Sequence, residues 1–220
     1  MRIIEGHKGC CEYTTRFTGL EGHGSAPDLG VNAAEYAVRF VARLMELREH
    51  LKNRAPTDSR FEPPWTTLSV GRISGGVAHN VIVGKAEVDW EMRPVQAADL
   101  AFVNDNMQQY IHDTLIPAMR QVYPAADIST EIIAEICGLD PMPENAARQL
   151  VSELTGANSA DLVAFGTEAG LFQGLGLSAV VCGPGSIAQA HKPDEYVALD
   201  QLSACLEMLT GLGRKLHGAA

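Results

Sequence analysis

The chain has 220 residues and a formal net charge of −10, with 46% hydrophobic and 20% charged residues. This length allows one good core or two small ones, and the composition is that of an ordinary soluble globular protein. An acidic chain without a basic run is a poor candidate for nucleic-acid binding, because phosphates are held by clustered Lys and Arg. No apolar run approaches the ~20 residues of a membrane span, and the residues after Met1 do not resemble a secretory signal.

The cysteine content indicates the redox environment of the protein. There are five cysteines, an odd number that includes the adjacent pair Cys10 and Cys11. This usage favours reduced thiols, and therefore a cytoplasmic protein, over a disulfide framework. Because no CxxC motif is present, a zinc site built from thiolates is not expected.

The first half of the chain predicts a split β-α-β-β-α-β unit. Residues alternate between apolar and polar in four segments that we interpret as strands, 12–18, 66–74, 86–93 and 128–134. Two amphipathic helices separate them, one capped by Asn32 and the other expected to be capped by Asp99. This order predicts a ferredoxin-like unit, an antiparallel sheet with two helices on one face, that closes near Glu135.

The pattern changes after a linker rich in Gly and Pro at 138–143. Helices are expected over 145–154 and 200–216, with a shorter helical turn between two buried strands that we expect to be parallel. Two short strands and three helices do not complete an α/β sheet, since sheets average ~5–6 strands. We therefore expect this region to be the end of a larger α/β domain.

Three isolated polar residues are candidates for a function. His23 lies between two glycines, where an imidazole can donate a hydrogen bond to a developing oxyanion, although an exposed loop histidine is the better interpretation of such a residue alone. Asn80 follows the pair Gly75-Gly76 and offers both a donor and an acceptor, although an ordinary turn is the better interpretation from spacing alone. Arg93 offers a planar fork for a carboxylate, and a cross-strand salt bridge is an alternative of similar weight.

The strongest cluster follows the two short strands of the second half. Gly166, Thr167 and Glu168 come after the first, and the run from Gly183 to Tyr196, which contains His191, comes after the second. Ligands of α/β sheets bind at the C-terminal ends of strands, so Glu168 and His191 are candidates for one site. A neutral imidazole is also a good zinc ligand. The density of Gly, His and acidic residues favours a site over a polar loop.

Taken together, these segments resemble the zinc-dependent peptidase and deacylase family, which includes acetylornithine deacetylase, succinyl-diaminopimelate desuccinylase and the glutamate carboxypeptidases. The order of the motifs is most similar to that of the acetylornithine deacetylases. The resemblance covers nearly the whole chain and is carried by these segments, in order: His7-Lys8-Gly9, Gly22-His23-Gly24-Ser25, Gly75-Gly76 with Asn80, Met92-Arg93-Pro94, Thr167-Glu168-Ala169 and the run from Gly183 to Tyr196.

The resemblance implies an α/β fold in which residues 8–136 form a ferredoxin-like lid and dimerisation domain. Residues 1–7 and 137–220 would then be the C-terminal portion of the catalytic α/β domain. It also implies a homodimer that hydrolyses the amide of an N-acyl amino acid. The first choice of substrate is N-acetylornithine, which would place the reaction in arginine biosynthesis. A zinc-bound water, activated by the metal and a carboxylate base, would attack the amide carbonyl.

The same resemblance implies a role for each candidate residue. His191 would be a zinc ligand, and His23 would reach into the partner subunit's site and stabilise the oxyanion. Asn80 and Arg93 would hold the α-carboxylate of the substrate. Glu168 would lie beside the metal and meet a substrate amine, and the hydrogen bonds of Gly166 and Thr167 would assist.

The sequence departs from the family in its metal ligands. No His is followed by Asp two positions later, and no two Glu residues are adjacent, so the family's His-x-Asp motif and Glu-Glu pair are missing. We therefore expect a C-terminal portion that binds zinc weakly or not at all, although the whole family uses two zinc or other divalent ions. The alternatives are a non-catalytic dimerisation and ligand-binding module, or a member acting on an N-succinyl amino acid or a dipeptide.

Overall fold

The computed structural model describes residues 1–218. Its strands are β1 (Arg2–His7), β2 (Cys10–Thr18), β3 (Gly22–His23), β4 (Thr67–Gly75), β5 (Val81–Ile82), β6 (Lys85–Arg93), β7 (Asp127–Ile136), β8 (Asp161–Val163) and β9 (Val181–Gly183). Its α-helices are α1 (Ala33–Lys52), α2 (Ala97–Tyr110), α3 (Ile116–Arg120), α4 (Ala146–Thr155), α5 (Ala169–Gly174) and α6 (Leu199–Gly218). A π-helical turn over Ile111–Leu115 links α2 to α3.

The chain divides into two compact units. The larger unit comprises Lys8–Cys137 with Ala164–Gly166, and the smaller unit comprises Met1–His7, Gly138–Val163 and Thr167–Ala220. The larger unit holds a four-stranded antiparallel sheet in the order β4-β6-β2-β7. With α1 after β2 and α2 after β6, this is the ferredoxin-like arrangement that the alternating segments predict, and the mixed α/β fold class is confirmed.

The core of the larger unit lies between the sheet and the helices α1, α2 and α3. The side chains of β6 that alternate inward, Ala86, Val88, Trp90 and Met92, are all buried. The Trp90 ring stacks on Tyr13 with centroids 4.3 Å apart and meets Phe40 of α1 edge-on at 6.2 Å. The Asn32 side chain accepts a hydrogen bond from the Ala34 N–H and so caps α1, as its position in the sequence predicts.

The predicted cap of the second helix is wrong. Gln96 is the N-cap of α2, whereas Asp99 lies in the first turn and is fully buried. The Asp99 carboxylate accepts hydrogen bonds from Thr66 Oγ1 at 2.5 Å, Arg54 Nε at 3.1 Å and Gln96 Nε2 at 3.1 Å. Asp99 therefore ties the loop before β4 to the start of α2, because Thr66 and Arg54 are 33 and 45 residues away in the chain.

The smaller unit contains a three-stranded sheet in the order β8-β1-β9. The prediction that the two short strands are parallel is wrong, since β8 runs parallel to β1 and β9 antiparallel to it, so β8 and β9 run in opposite directions. The central strand β1 was not predicted, because its buried side chains include the polar Glu5 and His7 and disguise the apolar run. Glu5 accepts a hydrogen bond from Arg148 Nη1 at 2.7 Å.

Much of the apolar surface of the smaller unit is uncovered. Its buried hydrophobic residues are only Ile3, Ile4, Leu139 and Met208 among those that the structure describes. Its exposed large hydrophobic residues are more numerous: Leu171, Phe172, Leu175, Leu177, Ile187, Tyr196, Val197, Leu199, Leu202, Leu206, Leu209 and Leu216. Apolar patches of this kind usually mark a surface that another segment or protein covers. Within residues 1–218, no helix has the length and apolar character needed to cross a membrane.

Candidate functional site

His23 and Asn80 meet at one corner of the larger unit. The short strand β3 pairs with β5, so that His23 lies opposite Val81. The N–H of Gly24 donates to the carbonyl of Asn80 at 2.7 Å. A Cβ on Gly24 would lie 2.9 Å from that carbonyl oxygen, so a glycine is needed at this close approach. Both side chains are exposed, and either can therefore reach a ligand from this corner.

The imidazole of His23 is held by the residue two positions later. Its Nδ1 lies 2.8 Å from Ser25 Oγ and 3.2 Å from the backbone nitrogen of Ser25, whose N–H donates to it. Both contacts go to the same ring nitrogen, so Nε2 is directed away from Ser25. The ring of His23 is thus oriented by its own loop.

Arg93 lies at the far end of β6 and is half-buried. Its Nη2 is 2.8 Å from Glu91 Oε2, and its Nε is 3.3 Å from Glu91 Oε1. The hydrogen bonds to Glu91 raise the pKa of the Arg93 guanidinium against the opposing effect of burial, so this side chain remains charged. This salt bridge joins two residues of the same strand, so it is not the cross-strand bridge considered as the alternative role of Arg93.

The structure separates Arg93 from Asn80 within one chain. Asn80 precedes β5 and lies near the Lys85 end of β6, whereas Arg93 is the last residue of that strand. At about 3.3 Å per residue, the length of β6 puts roughly 26 Å between its two ends. One substrate carboxylate cannot touch both side chains of a single chain.

Gly166 lies at the same end of the larger unit as Arg93. A Cβ on Gly166 would be 3.0 Å from Cys10 Cβ and 3.5 Å from the carbonyl of Lys8. Lys8 itself is buried and donates from Nζ to the carbonyls of Pro63 at 2.7 Å and Trp65 at 2.8 Å. Burial lowers the pKa of the Lys8 ammonium to about 8, while the nearby Glu62 carboxylate opposes that shift.

Thr167 and Glu168 directly precede α5 in the smaller unit. Thr167 Oγ1 is 2.9 Å from Nε2 of the buried His7 and accepts a hydrogen bond from the Ala169 N–H at 3.1 Å. Glu168 is the residue that caps α5, without a side-chain hydrogen bond to the helix. The contact between His7 and Thr167 was not predicted, and the only sequence signal for it is the motif His7-Lys8-Gly9.

His191 occupies an exposed loop of the smaller unit. It has a positive φ of 60°, and its backbone N–H donates to Glu195 Oε2 at 3.1 Å. No group of three or more His, Cys, Asp or Glu side chains within residues 1–218 is arranged to hold a metal ion. In the same part of the chain no hydrogen bond or ion pair joins His191 to Glu168. These residues alone do not fit a catalytic zinc site, which takes three protein ligands.

Most of the larger unit matches the model of a known protein family. Residues 5–119 match the model described as the peptidase dimerisation domain, that of the M20 peptidases. The chain belongs to the peptidase dimerisation-domain family. The matched residues include α1, α2 and three strands of the four-stranded sheet, but not the edge strand β7.

Curated relatives of this dimerisation-domain protein include two acetylornithine deacetylases. The protein from Salmonella heidelberg (strain SL476) is 33% identical over 210 residues, which are 96% of this chain and 53% of that protein. The protein from Klebsiella pneumoniae (strain 342) is 34% identical over the same shares of the two chains. The chain therefore spans about half the length of the curated relatives it matches.

Solved structures show the same fold. A tripeptidase from Staphylococcus aureus superimposes with a TM-score of 0.68 at 16% identity, over 94% of this chain and 52% of that one. An aminopeptidase from Bacillus cereus superimposes with a TM-score of 0.67 at 18% identity, over the same shares. In both cases 94% of this chain is covered, so the shared region extends over both units described here.

Proposed function

We propose that this chain is the C-terminal portion of a metal-dependent amidohydrolase that removes the acetyl group from N-acetylornithine or a similar N-acyl amino acid. The observation that carries the proposal is the similarity of 96% of the chain to curated acetylornithine deacetylases. Residues 8–136 would serve as the lid and dimerisation domain, and residues 1–7 and 137–220 as part of the catalytic domain. The uncovered apolar residues of the smaller unit support this, because the remainder of such a domain would bury them.

The candidate side chains suit the charges of N-acetylornithine. In the proposed reaction Arg93 binds the α-carboxylate through its planar guanidinium, assisted by Asn80. Glu168 faces the side-chain ammonium of the substrate, with the hydrogen-bonding groups of Gly166 and Thr167 beside it. His23 donates a hydrogen bond to the oxyanion that develops when water attacks the amide carbonyl. Zinc is the proposed cofactor, with His191 as one ligand and the other ligands in the part of the relatives that this chain does not match.

The proposed site takes residues from two chains. Because Arg93 lies roughly 26 Å from the other end of β6, one chain cannot bring it together with His23 and Asn80. We propose a homodimer in which the His23 corner of one chain completes the site that contains Arg93 of the other. The dimerisation domain in the matched family supports this arrangement.

The proposed dimer surface is the edge of the sheet formed by β4 together with the outer side of α1. A cavity of 440 Å³ lies between them, and Met45 and Arg48 of α1 are part of its wall. Val38, Met45 and Ile73 are exposed large hydrophobic residues on these two elements. Because β4 lies inside the matched dimerisation domain and the other edge strand β7 lies outside it, we propose β4 as the edge that faces a second copy.

A positive charge introduced at the β4 edge or on the outer side of α1 is expected to abolish the dimer. The variants Met45→Lys and Ile73→Lys should sediment as monomers, because each puts an ammonium group into an apolar contact. Ile132→Lys is the matched control, since Ile132 is 59% exposed on β7 at the opposite edge. Analytical ultracentrifugation at several concentrations measures the result. A monomeric Ile132→Lys variant alongside dimeric Met45→Lys and Ile73→Lys variants would place the interface on β7 instead.

The test of the activity is a completed enzyme, meaning this chain joined to the segment that corresponds to the first half of its relatives. It is expected to contain zinc and to release acetate from N-acetylornithine. Arg93→Ala should raise KM more than it lowers kcat, because the contact to the carboxylate exists in the ground state and the transition state alike. A substrate analogue that lacks the α-carboxylate should be hydrolysed at the same rate by the unsubstituted completed enzyme and by its Arg93→Ala variant.

The competing functions predict different results in the same assay. A family member with another substrate would hydrolyse N-succinyl-diaminopimelate or a dipeptide in preference to N-acetylornithine. A non-catalytic module would bind N-acyl amino acids or dimerise without releasing any product. A completed enzyme that binds zinc and cleaves none of these amides would overturn the hydrolase proposal.

A further inference from the structure

The hydrogen bonds around His23 define which ring nitrogen carries its proton. A backbone N–H can only donate, so the nitrogen that accepts it must have a free lone pair. The N–H of Ser25 points at Nδ1 of His23 from 3.2 Å, and the hydroxyl of Ser25 lies 2.8 Å from the same atom. Nδ1 is therefore the acceptor of both groups, and the neutral ring has its proton on Nε2.

We propose that Ser25 is a positioning residue that fixes His23 in the Nε2–H tautomer and aims that N–H away from its own loop. The proposal rests on the proposed function of His23 as an oxyanion donor and adds the residue that prepares it. A ring in the other tautomer would present a lone pair at Nε2, and a lone pair repels a developing oxyanion. The hydroxyl and the N–H of Ser25 thus act together to make His23 a donor.

Two other histidines of the chain, His217 and His50, serve as references for the tautomer of His23. His217 Nδ1 lies 2.9 Å from the carbonyl oxygen of Gly213, which can only accept, so His217 must have its proton on Nδ1. His50 is exposed at the end of α1, and within residues 1–218 its ring has no hydrogen-bond partner. His217 therefore represents the tautomer opposite to that of His23, and His50 represents a ring that no hydrogen bond restrains.

The experiment is long-range ¹H–¹⁵N correlation NMR on the ¹⁵N-labelled 220-residue chain, above the pH at which histidine is protonated. His23 is expected to show the Nε2–H pattern alone, His217 the Nδ1–H pattern and His50 a mixture. A direct coupling between the Ser25 amide nitrogen and His23 Nδ1 is expected as well. An Nδ1–H pattern for His23, or the same mixture as His50, would overturn the proposal.

Substitutions of Ser25 separate its hydroxyl from the rest of the loop. Ser25→Ala should shift the His23 signals toward those of His50, because only the longer backbone hydrogen bond remains. Ser25→Thr retains the hydroxyl and should keep the wild-type pattern. Asp28→Asn, an exposed change in the same loop, is the control for a nonspecific disturbance. His23 signals that are identical in the wild type and in Ser25→Ala would show that Ser25 does not position the ring.

Kinetics of the completed enzyme distinguish this proposal from the proposed function. Ser25→Ala should lower kcat about three- to tenfold with little change in KM, the range that one neutral hydrogen bond supports, and Ser25→Thr should restore it. An enzyme that hydrolyses no amide while His23 retains its Nε2–H pattern would refute the hydrolase function and leave the tautomer assignment standing. An active enzyme in which Ser25→Ala changes neither kcat nor the NMR pattern would refute the role of Ser25.

Discussion

Replacing His23 with alanine in the completed enzyme is expected to lower kcat about 10²–10³-fold, the cost of removing one oxyanion donor. KM should change little, because the proposed hydrogen bond forms only when charge develops on the carbonyl oxygen. The corner that carries His23 is held by backbone contacts of Gly24 and by the ladder between β3 and β5, neither of which involves the imidazole. The fold should therefore survive the substitution.

Acetate release from N-acetylornithine at several concentrations would separate kcat from KM. His79→Ala is the matched control. His79 is another exposed histidine, lies in the turn directly before β5, and makes no hydrogen bond within residues 1–218. This variant should leave turnover within about twofold of the wild type, as expected for a surface change. Equal losses for His23→Ala and His79→Ala would contradict a specific role for His23.

Replacing Asp99 with alanine is expected to lower the free energy of unfolding of the larger unit by about 3 kcal/mol. Asp99 is fully buried and accepts hydrogen bonds from Thr66, Gln96 and Arg54. The substitution leaves the buried Thr66 hydroxyl without this acceptor, whereas the Gln96 amide retains its hydrogen bond to the Arg54 carbonyl. Because the Arg54 guanidinium is partly exposed, it can find water instead, and its share of the loss is small.

Urea unfolding followed by circular dichroism or by the fluorescence of Trp65 and Trp90 would measure the difference. Asp105→Ala removes an exposed carboxylate from the same helix and should change the stability by no more than about 0.5 kcal/mol. Asp99→Asn should lie between these two variants, since an amide retains one acceptor oxygen. An Asp99→Ala variant as stable as Asp105→Ala would show that the polar contacts of Asp99 contribute nothing net.

The larger unit was predictable because its strands alternate. Each inward residue of β6 is apolar and each outward residue is charged or polar, so the faces of this strand can be read directly from the sequence. The strand β1 and the position of Asp99 could not be read in this way, because buried Glu5, His7 and Asp99 are satisfied by partners far away in the chain. Long-range hydrogen bonds leave no local pattern.

The candidate site was predictable as a set of residue types and not as a geometry. The glycines that flank His23 indicated a projecting imidazole, and the close approach of Gly24 to Asn80 gives those glycines a physical reason. The sequence did not indicate that Arg93 would lie at the other end of β6 from Asn80, nor that Ser25 would hold His23. Spacing along the chain orders motifs but does not measure the distance between them.

The separation of Arg93 from the His23 corner has a genetic consequence. In the proposed homodimer each site combines the Arg93 of one chain with the His23 of the other, so two defective alleles can complement. When Arg93→Ala and His23→Ala subunits assemble together, one site of each mixed dimer has both lesions and the other has neither. Random assembly makes half of all dimers mixed, so about a quarter of all sites regain the wild-type pair. Lesions in Asn80 and His23 lie on the same corner and would never rescue each other.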